Sequence, residues 1–413
     1  MRQYSALKYL AYKFIFISTV LFAVFVSISI AADNLAISIG VLGLIFLIIA
    51  KEFKFKKEDL PIGLFSLKEF FSSVFSLNPI HSLLNFQYIW HFAPYWITSR
   101  SKANFTLIVN VLGVFTIIGA LGLYFNAFFG IRPVDIFSVG INNLYFVKPM
   151  PGIFGFSGCA SYAGIIMVMS SFFFGSLGIF LNNKFYYLVS ILALFAGILA
   201  QEMADWLAII VSILCLPLIL RNKKTLILLL LFAVVSIGLY NTSFIQKRLN
   251  QTIYYEKDPS IVIRFAMMKA SLEVFKESSM FRKIFGYGPS FGAQVIHKKA
   301  VFYYKQMAIK NHIDPNIEVP TTIDNFYFNT LMNSGLFGLA MILCAFFTLL
   351  VNNIKRLKSV DTQQKGILVG IILGLIAFYV ASGFDNLLGS AQVSIYLSFM
   401  LGLAEIGLKN NIL

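Results

Sequence analysis

The sequence predicts an all-α fold, a polytopic transmembrane helical bundle of about twelve spans with one large helix-containing loop on one face. Three observations carry this. Of the 413 residues, 58% are hydrophobic and only 12% are charged, with a mean hydropathy of +0.80, outside the range of soluble globular domains. Apolar runs of ~20 residues, the length that crosses a bilayer core, recur from end to end. The runs are continuous rather than alternating, so helices are expected and a β-barrel is not.

The spans follow in order. The first run, 14–32, comes after Arg2, Lys8 and Lys13. It is long for the apolar core of a signal peptide and a second run begins at Leu35, so it is read as a retained span despite Ser29-Ile30-Ala31. Span two is 35–50, and the basic stretch 51–59 follows. Spans three and four, 60–77 and 83–99, carry Lys68, Glu69, His81 and His91 and have a partly interfacial alternative. Span five is 104–126, followed by a loop, 127–152, with Arg132, Asp135 and Lys148. Spans six to nine are 156–181, 185–201, 206–220 and 225–241. After the long loop, 242–324, spans ten to twelve are 325–351, 366–384 and 391–408. The chain thus divides into 1–241, 242–324 and 325–413.

The net charge of +15 reads as basic residues holding cytoplasmic loops in place, not as a nucleic-acid surface. Short-loop Lys and Arg segregate to one side with twelve spans. That side is the cytoplasm, with both termini inside and the long loop outside, in a bacterium the periplasm of the inner membrane. Cys159, Cys215 and Cys344 all fall in apolar runs, so no disulfide framework is expected.

The long loop carries the chemistry. Over 261–280, helical periodicity puts Lys269, Glu273, Lys276 and Glu277 on one solvated face. Arg264 lies opposite, beside Met268, Ser271 and Phe275. A guanidinium on an apolar face needs an anionic or hydrogen-bonding partner. It is either a structural salt bridge or an anion site, and arginine's planar fork suits phosphate. Arg248, Lys247 and Arg282 are candidate supports. The stretch Phe285-Gly286-Tyr287-Gly288-Pro289-Ser290-Phe291-Gly292 is not a dinucleotide motif, since position 291 is Phe and no βαβ pattern precedes it. Gly286 and Gly288 mark either a tight turn or backbone brought close to a bound headgroup. Asp324 opens span ten as either a helix cap or a carboxylate base. Asn325, Asn329 and Asn333 recur at i, i+4 and run a polar stripe into the membrane, the signature of an interior or water-filled face. His297 and His312 lack any metal-ligand spacing, so no metal and no cofactor is expected.

The order of these pieces resembles the O-antigen polymerase and O-antigen ligase superfamily: Arg264 on an amphipathic loop helix, then Gly286-Tyr287-Gly288, then Asp324-Asn325 opening a span that reads Leu331-Met332-Asn333-Ser334-Gly335-Leu336-Phe337-Gly338. The layout covers most of the chain and the sequence likeness roughly 245–340. The resemblance implies an inner-membrane glycosyltransferase. Its donor is a growing glycan on undecaprenyl diphosphate, and its acceptor is a sugar hydroxyl of a second lipid-linked repeat unit. Asp324 is then the base and Arg264 the diphosphate contact, with Arg248, Arg282, Gly286, Gly288, Asn325 and Asn329 in substrate binding. The resemblance also allows a chain-length regulator protein as partner. Two departures matter. The ligase branch has His-Asn where this chain has Asp324-Asn325, which favours the polymerase branch. Many members carry Ser-Arg at the short turn between spans seven and eight, where this chain reads Gln201-Glu202-Met203-Ala204-Asp205. That phosphate contact is then absent or supplied by Arg248 or Arg132. The alternatives are the ligase, which transfers glycan to lipid A core, and a lipid-linked oligosaccharide flippase or transporter.

Overall fold

The computed structural model describes residues 2–84, 90–129, 160–200, 202–220, 246 and 255–409. Among them are fifteen α-helices and no strand, so the all-α, polytopic class is as expected. Eight helices are long and apolar enough to cross a membrane. They are α1 (Arg2–Phe25), α2 (Ile30–Ile49), α6 (Phe105–Phe129), α7 (Ala160–Leu181), α9 (Met203–Leu220), α13 (Phe326–Arg356), α14 (Thr362–Ala381) and α15 (Ala391–Lys409). A ninth apolar helix, α8 (Lys184–Leu199), is shorter at 16 residues. The expected span 225–241 lies outside the described residues, as do Arg132 and Arg248.

Expected spans three and four are not two regular spans. Their described residues form three short helices: α3 (Leu60–Val74), α4 (Pro79–Leu84) and α5 (Ala93–Thr98). The segment still runs from one end of the bundle to the other and back. It leaves from Asp59, whose carboxylate accepts from Arg100 Nη1 at 2.8 Å and from the Tyr95 hydroxyl at 3.0 Å. It reaches the loop-bearing end where the Leu77 N–H donates to the Tyr287 carbonyl at 2.8 Å. It returns to Arg100. The physical reason for the breaks is in the residues: Pro79 and Pro94 each sit at a helix start. Lys68 lies beside Glu69 mid-helix and asks for a polar, protein-lined face rather than lipid.

Charged side chains gather at the Asp59 end. Arg356 pairs with Glu405 at 2.6 Å and Glu58 at 3.2 Å, and Lys409 donates to the Ser99 carbonyl at 2.7 Å. Burial opposes the charge on Asp59, but the Arg100 guanidinium and the Lys56 N–H outweigh it and hold its pKa below the ordinary carboxylate range. At the opposite end, the long loop folds into α10 (Pro259–Glu277), α11 (Met280–Phe285) and α12 (Phe291–Lys310). α10 and α12 enclose a small core of their own, with Val262, Ala266, Met267 and Ala270 against Ile296, Ala300 and Tyr304. Lys299 ties them by ion pairs to Glu273 at 2.7 Å and Glu277 at 2.6 Å.

The loop docks on a break in α13. Gly335 has φ 65° and ψ −167° inside this helix, a conformation that glycine adopts without steric cost. Just before it, the Met332 carbonyl accepts from the Tyr287 N–H at 2.9 Å and the Asn333 carbonyl from the Gly288 N–H at 2.8 Å. Ser72 Oγ adds a second donor to the Asn333 carbonyl at 2.9 Å. Two carbonyls at the break are thereby satisfied from outside the helix. A Cβ on Gly335 would stand 2.2 Å from the Ile284 carbonyl oxygen. Gly335→Ala is therefore expected to cost about 1–3 kcal/mol and to lower the thermal midpoint of the detergent-purified protein. Gly374→Ala, whose Cβ would meet nothing nearer than 3.8 Å, serves as the control and should leave the midpoint within a degree or two.

Candidate active site

Arg264 projects from α10 at the edge of the face that packs on α12. Asp258 caps this helix by accepting from the Ser260 N–H at 2.9 Å, with Pro259 in the first turn. Val262, Ile263, Ala266 and Met267 are buried, which leaves position 264 at the border, its side chain 32% exposed. The guanidinium meets two carboxylates. Nη2 donates to Asp385 Oδ1 at 3.2 Å, and Nε stands 3.6 Å from Asp324 Oδ2, an ion contact beyond hydrogen-bond length. Glu202 adds a third negative charge within electrostatic reach. Burial opposes the Arg264 charge, but Asp385, Asp324 and Glu202 together outweigh it and raise the pKa above the ordinary guanidinium value.

Asp324 does not cap α13. The cap is Asn325, whose Oδ1 accepts from the Phe328 N–H at 3.0 Å while its Nδ2 donates to the Gly383 carbonyl. With the helix end satisfied by its neighbour, the Asp324 carboxylate is left to face Arg264. Asn325 does a second job: through Gly383, and through the Phe326 N–H on the Ser382 carbonyl at 3.1 Å, it pins the start of α13 to the turn after α14. That turn is what carries Asp385 to Arg264.

A cavity of about 360 Å³ opens beside the guanidinium, lined by Glu202, Met203, Asp258, Arg264, Asn325 and Phe384 among others. Its size falls at the lower end for small-molecule sites. Glu202 comes from the turn between α8 and α9, and Met203 opens α9. The turn where many members of the resembled superfamily carry arginine therefore reaches this cavity, and here it brings the Glu202 carboxylate. Buried Asp205 feels the charges of both Glu202 and Asp385.

The remaining candidates separate. Arg282 is committed elsewhere: its Nη1 donates to the Phe75 carbonyl at 2.7 Å and the Gly286 carbonyl at 3.1 Å. The backbone approach that Gly286 and Gly288 permit is to α13 and Ser76, and none of Arg282, Gly286 and Gly288 lines the Arg264 cavity. Asn329 accepts from Asn333 Nδ2 at 2.9 Å, and Asn333 Oδ1 accepts from the Gly292 N–H at 3.1 Å, so this part of the polar stripe braces the glycine turn. Arg248 lies outside the described residues. Sequence reasoning missed Asp385 and Glu202. One signal was present: Asp385-Asn386 repeats the Asp324-Asn325 pair at the mouth of a span.

The fold and this site define a class: a multi-pass helical membrane protein whose long inter-span segment lays an arginine-bearing helix over carboxylates at the span ends. Residues 188–343 match the family described as O-antigen ligase. The match covers less than half of the chain and supports the O-antigen ligase and polymerase superfamily of membrane glycosyltransferase-like enzymes. The matched stretch contains Glu202, Arg264, the glycine turn and Asp324, but neither Asp385 nor α3. No curated protein matches the chain.

Contact length and burial rank the two ion contacts. A double-mutant cycle of Arg264→Gln with Asp385→Asn should give a coupling of about 1–3 kcal/mol in stability. The cycle with Asp324→Asn should give clearly less, because that pair is longer and more exposed. Equal couplings would refute the ranking.

Proposed function

We propose that the protein is a polysaccharide repeat-unit polymerase, a glycosyltransferase that moves a growing glycan from undecaprenyl diphosphate to a sugar hydroxyl of a second lipid-linked repeat unit. The observation that carries this reading is a half-buried Arg264 that lines a cavity while paired with Asp385 and Asp324, inside the stretch that matches the O-antigen ligase family. Without substrate, Asp385 and Asp324 neutralise the guanidinium. An arriving diphosphate competes for the fork, which suits phosphate in a bidentate geometry. Asp324 is the more exposed partner and the looser one, so it is displaced first and becomes available as a base. The acceptor oxygen then bonds to the anomeric carbon as its proton passes to Asp324. The carbon–oxygen bond to the diphosphate breaks, and the electron pair leaves with the phosphate oxygen, whose charge Arg264 stabilises. Further positive charge for the diphosphate is assigned to Arg248.

Asp324, where the ligase branch has histidine, favours the polymerase over transfer to lipid A core; the two differ in acceptor, and product analysis separates them. The gathering of Arg100, Arg356 and Lys409 at the end opposite the loop supports cytoplasmic termini and a periplasmic loop in the inner membrane.

Single cysteines in 259–310, in a background lacking the native three, should react with an impermeant thiol reagent in cells with a permeabilised outer membrane. Protection there with labelling at 355–365 would reverse the orientation.

Arg264→Lys should lose most polymerisation, because a point charge replaces the bidentate fork. Lys269→Ala, exposed on the opposite face with its ammonium over the Tyr303 ring at 4.2 Å, should stay near wild type. Asp324→Asn leaves the Asn325 cap intact and should insert normally while slowing polymerisation by ~10²–10⁴-fold, the usual worth of a general base. Long glycan chains at normal levels from this variant would remove Asp324 from the chemistry.

A further inference from the structure

Membrane depth can be read along α13. From Leu336 to Arg356 this helix is regular and runs about 30 Å at ~1.5 Å per residue, the thickness of a bilayer hydrocarbon core. No charged residue interrupts that stretch before Lys355, and Arg356 lies in the charged cluster with Glu405 and Glu58. Leu336, Leu343, Phe347 and Ile354 are all exposed and recur at helical spacing, so they form one lipid-facing stripe. With Arg356 at one boundary of the hydrocarbon, the break at Gly335 stands at the other, in the leaflet on the loop-bearing side.

The short loop helix α11 meets α13 at that level. Its Ile284 carbonyl lies against Gly335, and the Phe285 ring is 5.8 Å from that of Phe337, which is 5.6 Å from Phe71 of α3. Phe281 and Phe285 also pack on Phe75, at 5.9 and 4.3 Å. Yet α11 buries none of its side chains. Met280 is 69% exposed, and Phe281 and Ile284 are exposed as well. At about 100° per residue these three share one side of the helix. The neighbouring segment continues the pattern: Ile80 is 74% and Leu84 82% exposed, a few residues beyond the bond from the Leu77 N–H to the Tyr287 carbonyl. Contiguous apolar surface of this kind marks contact with a partner or a membrane. Here it runs through Phe285 and Phe337 into the top of the lipid-facing stripe. The charge pattern agrees. From Ser278 to Ile313 the chain has no Asp or Glu, and Lys283 of α11 pairs with no carboxylate among the described residues.

We propose that α11, with the adjoining segment 77–84, is an interfacial foot on which the long loop stands in the lipid. Met280, Phe281 and Ile284 enter the acyl boundary of the leaflet on the loop-bearing side, and Lys283 extends to its phosphate headgroups. The foot bears on the site through chain connectivity. Only Ser278 and Ser279 separate α11 from α10, and Ser278 Oγ is hydrogen-bonded to the Tyr287 hydroxyl of the glycine turn. The lipid surface thereby sets the height of α10, and of Arg264 on it, above the hydrocarbon. This placement is the same whichever reaction the cavity carries.

The test places single nitroxide labels on the full-length protein, in a background lacking the native three cysteines, in nanodiscs of phosphatidylethanolamine and phosphatidylglycerol. Met280, Ile284, Ile80 and Leu84 are exposed, so labels there leave the packing intact. Leu343 on the lipid-facing stripe and Lys269 on the solvated face of α10 supply the lipid and water references. Oxygen concentrates in lipid and a charged nickel chelate in water, so the ratio of their collision rates reads depth. At 280 and 284 this ratio should be severalfold above that at 269 and closer to that at 343, with 80 and 84 behaving alike. A ratio at 280 and 284 equal to that at 269 puts α11 in water and overturns the proposal. Labels shielded from both reagents put it against protein, a second copy included, and overturn it equally. Lys283→Glu, which reverses the charge facing the headgroups, should lower the ratio at 280; an unchanged ratio refutes the headgroup contact.

Discussion

The break in α13 at Gly335 is the constraint on which the rest of the loop-bearing end depends. It exposes the Met332 and Asn333 carbonyls, and the amides of Tyr287 and Gly288 take them. Arg282 then reaches across to the Phe75 carbonyl, and Leu77 donates to Tyr287. One junction thus joins the broken α3–α4 segment, the loop and the tenth expected span. Each bond is between backbone groups or ends on a carbonyl, so the junction depends little on side-chain choice and strongly on the absence of a Cβ at Gly286, Gly288 and Gly335. The glycine turn and the span motif that carry the family resemblance are two halves of this one contact.

Above the junction, the electrostatics of the site follow from an imbalance. One guanidinium faces Asp385, Asp324 and Glu202, with Asp258 on the cavity wall. A half-buried arginine without partners would be costly, and these carboxylates offset that cost. In the proposed reaction, binding is an exchange in which phosphate oxygens replace carboxylate oxygens on the same guanidinium fork.

The turn after α14 is the wall shared by α13 and the loop: its Gly383 and Ser382 carbonyls hold the start of α13, and its Asp385 meets Arg264 of the loop.

The sequence alone determined the all-α membrane class and most of the spans, because lipid solvation and helical periodicity act locally along the chain. It also placed Asp324 beside the mouth of α13. It did not settle Asp324, which it left as either helix cap or carboxylate base; only the packed geometry gives the cap to Asn325, since Asp and Asn cap about equally well. Nor did it find Asp385 and Glu202, which lie 121 and 62 positions from Arg264 and meet it only after α8, α9, α10 and α14 have packed. The regular spans expected at 60–77 and 83–99 gave way to short helices, two of them opened by Pro79 and Pro94. Only the tertiary structure placed Arg282 and the two turn glycines at the junction with α13, because their partners, the Phe75 carbonyl and the backbone at Asn333, are distant in sequence.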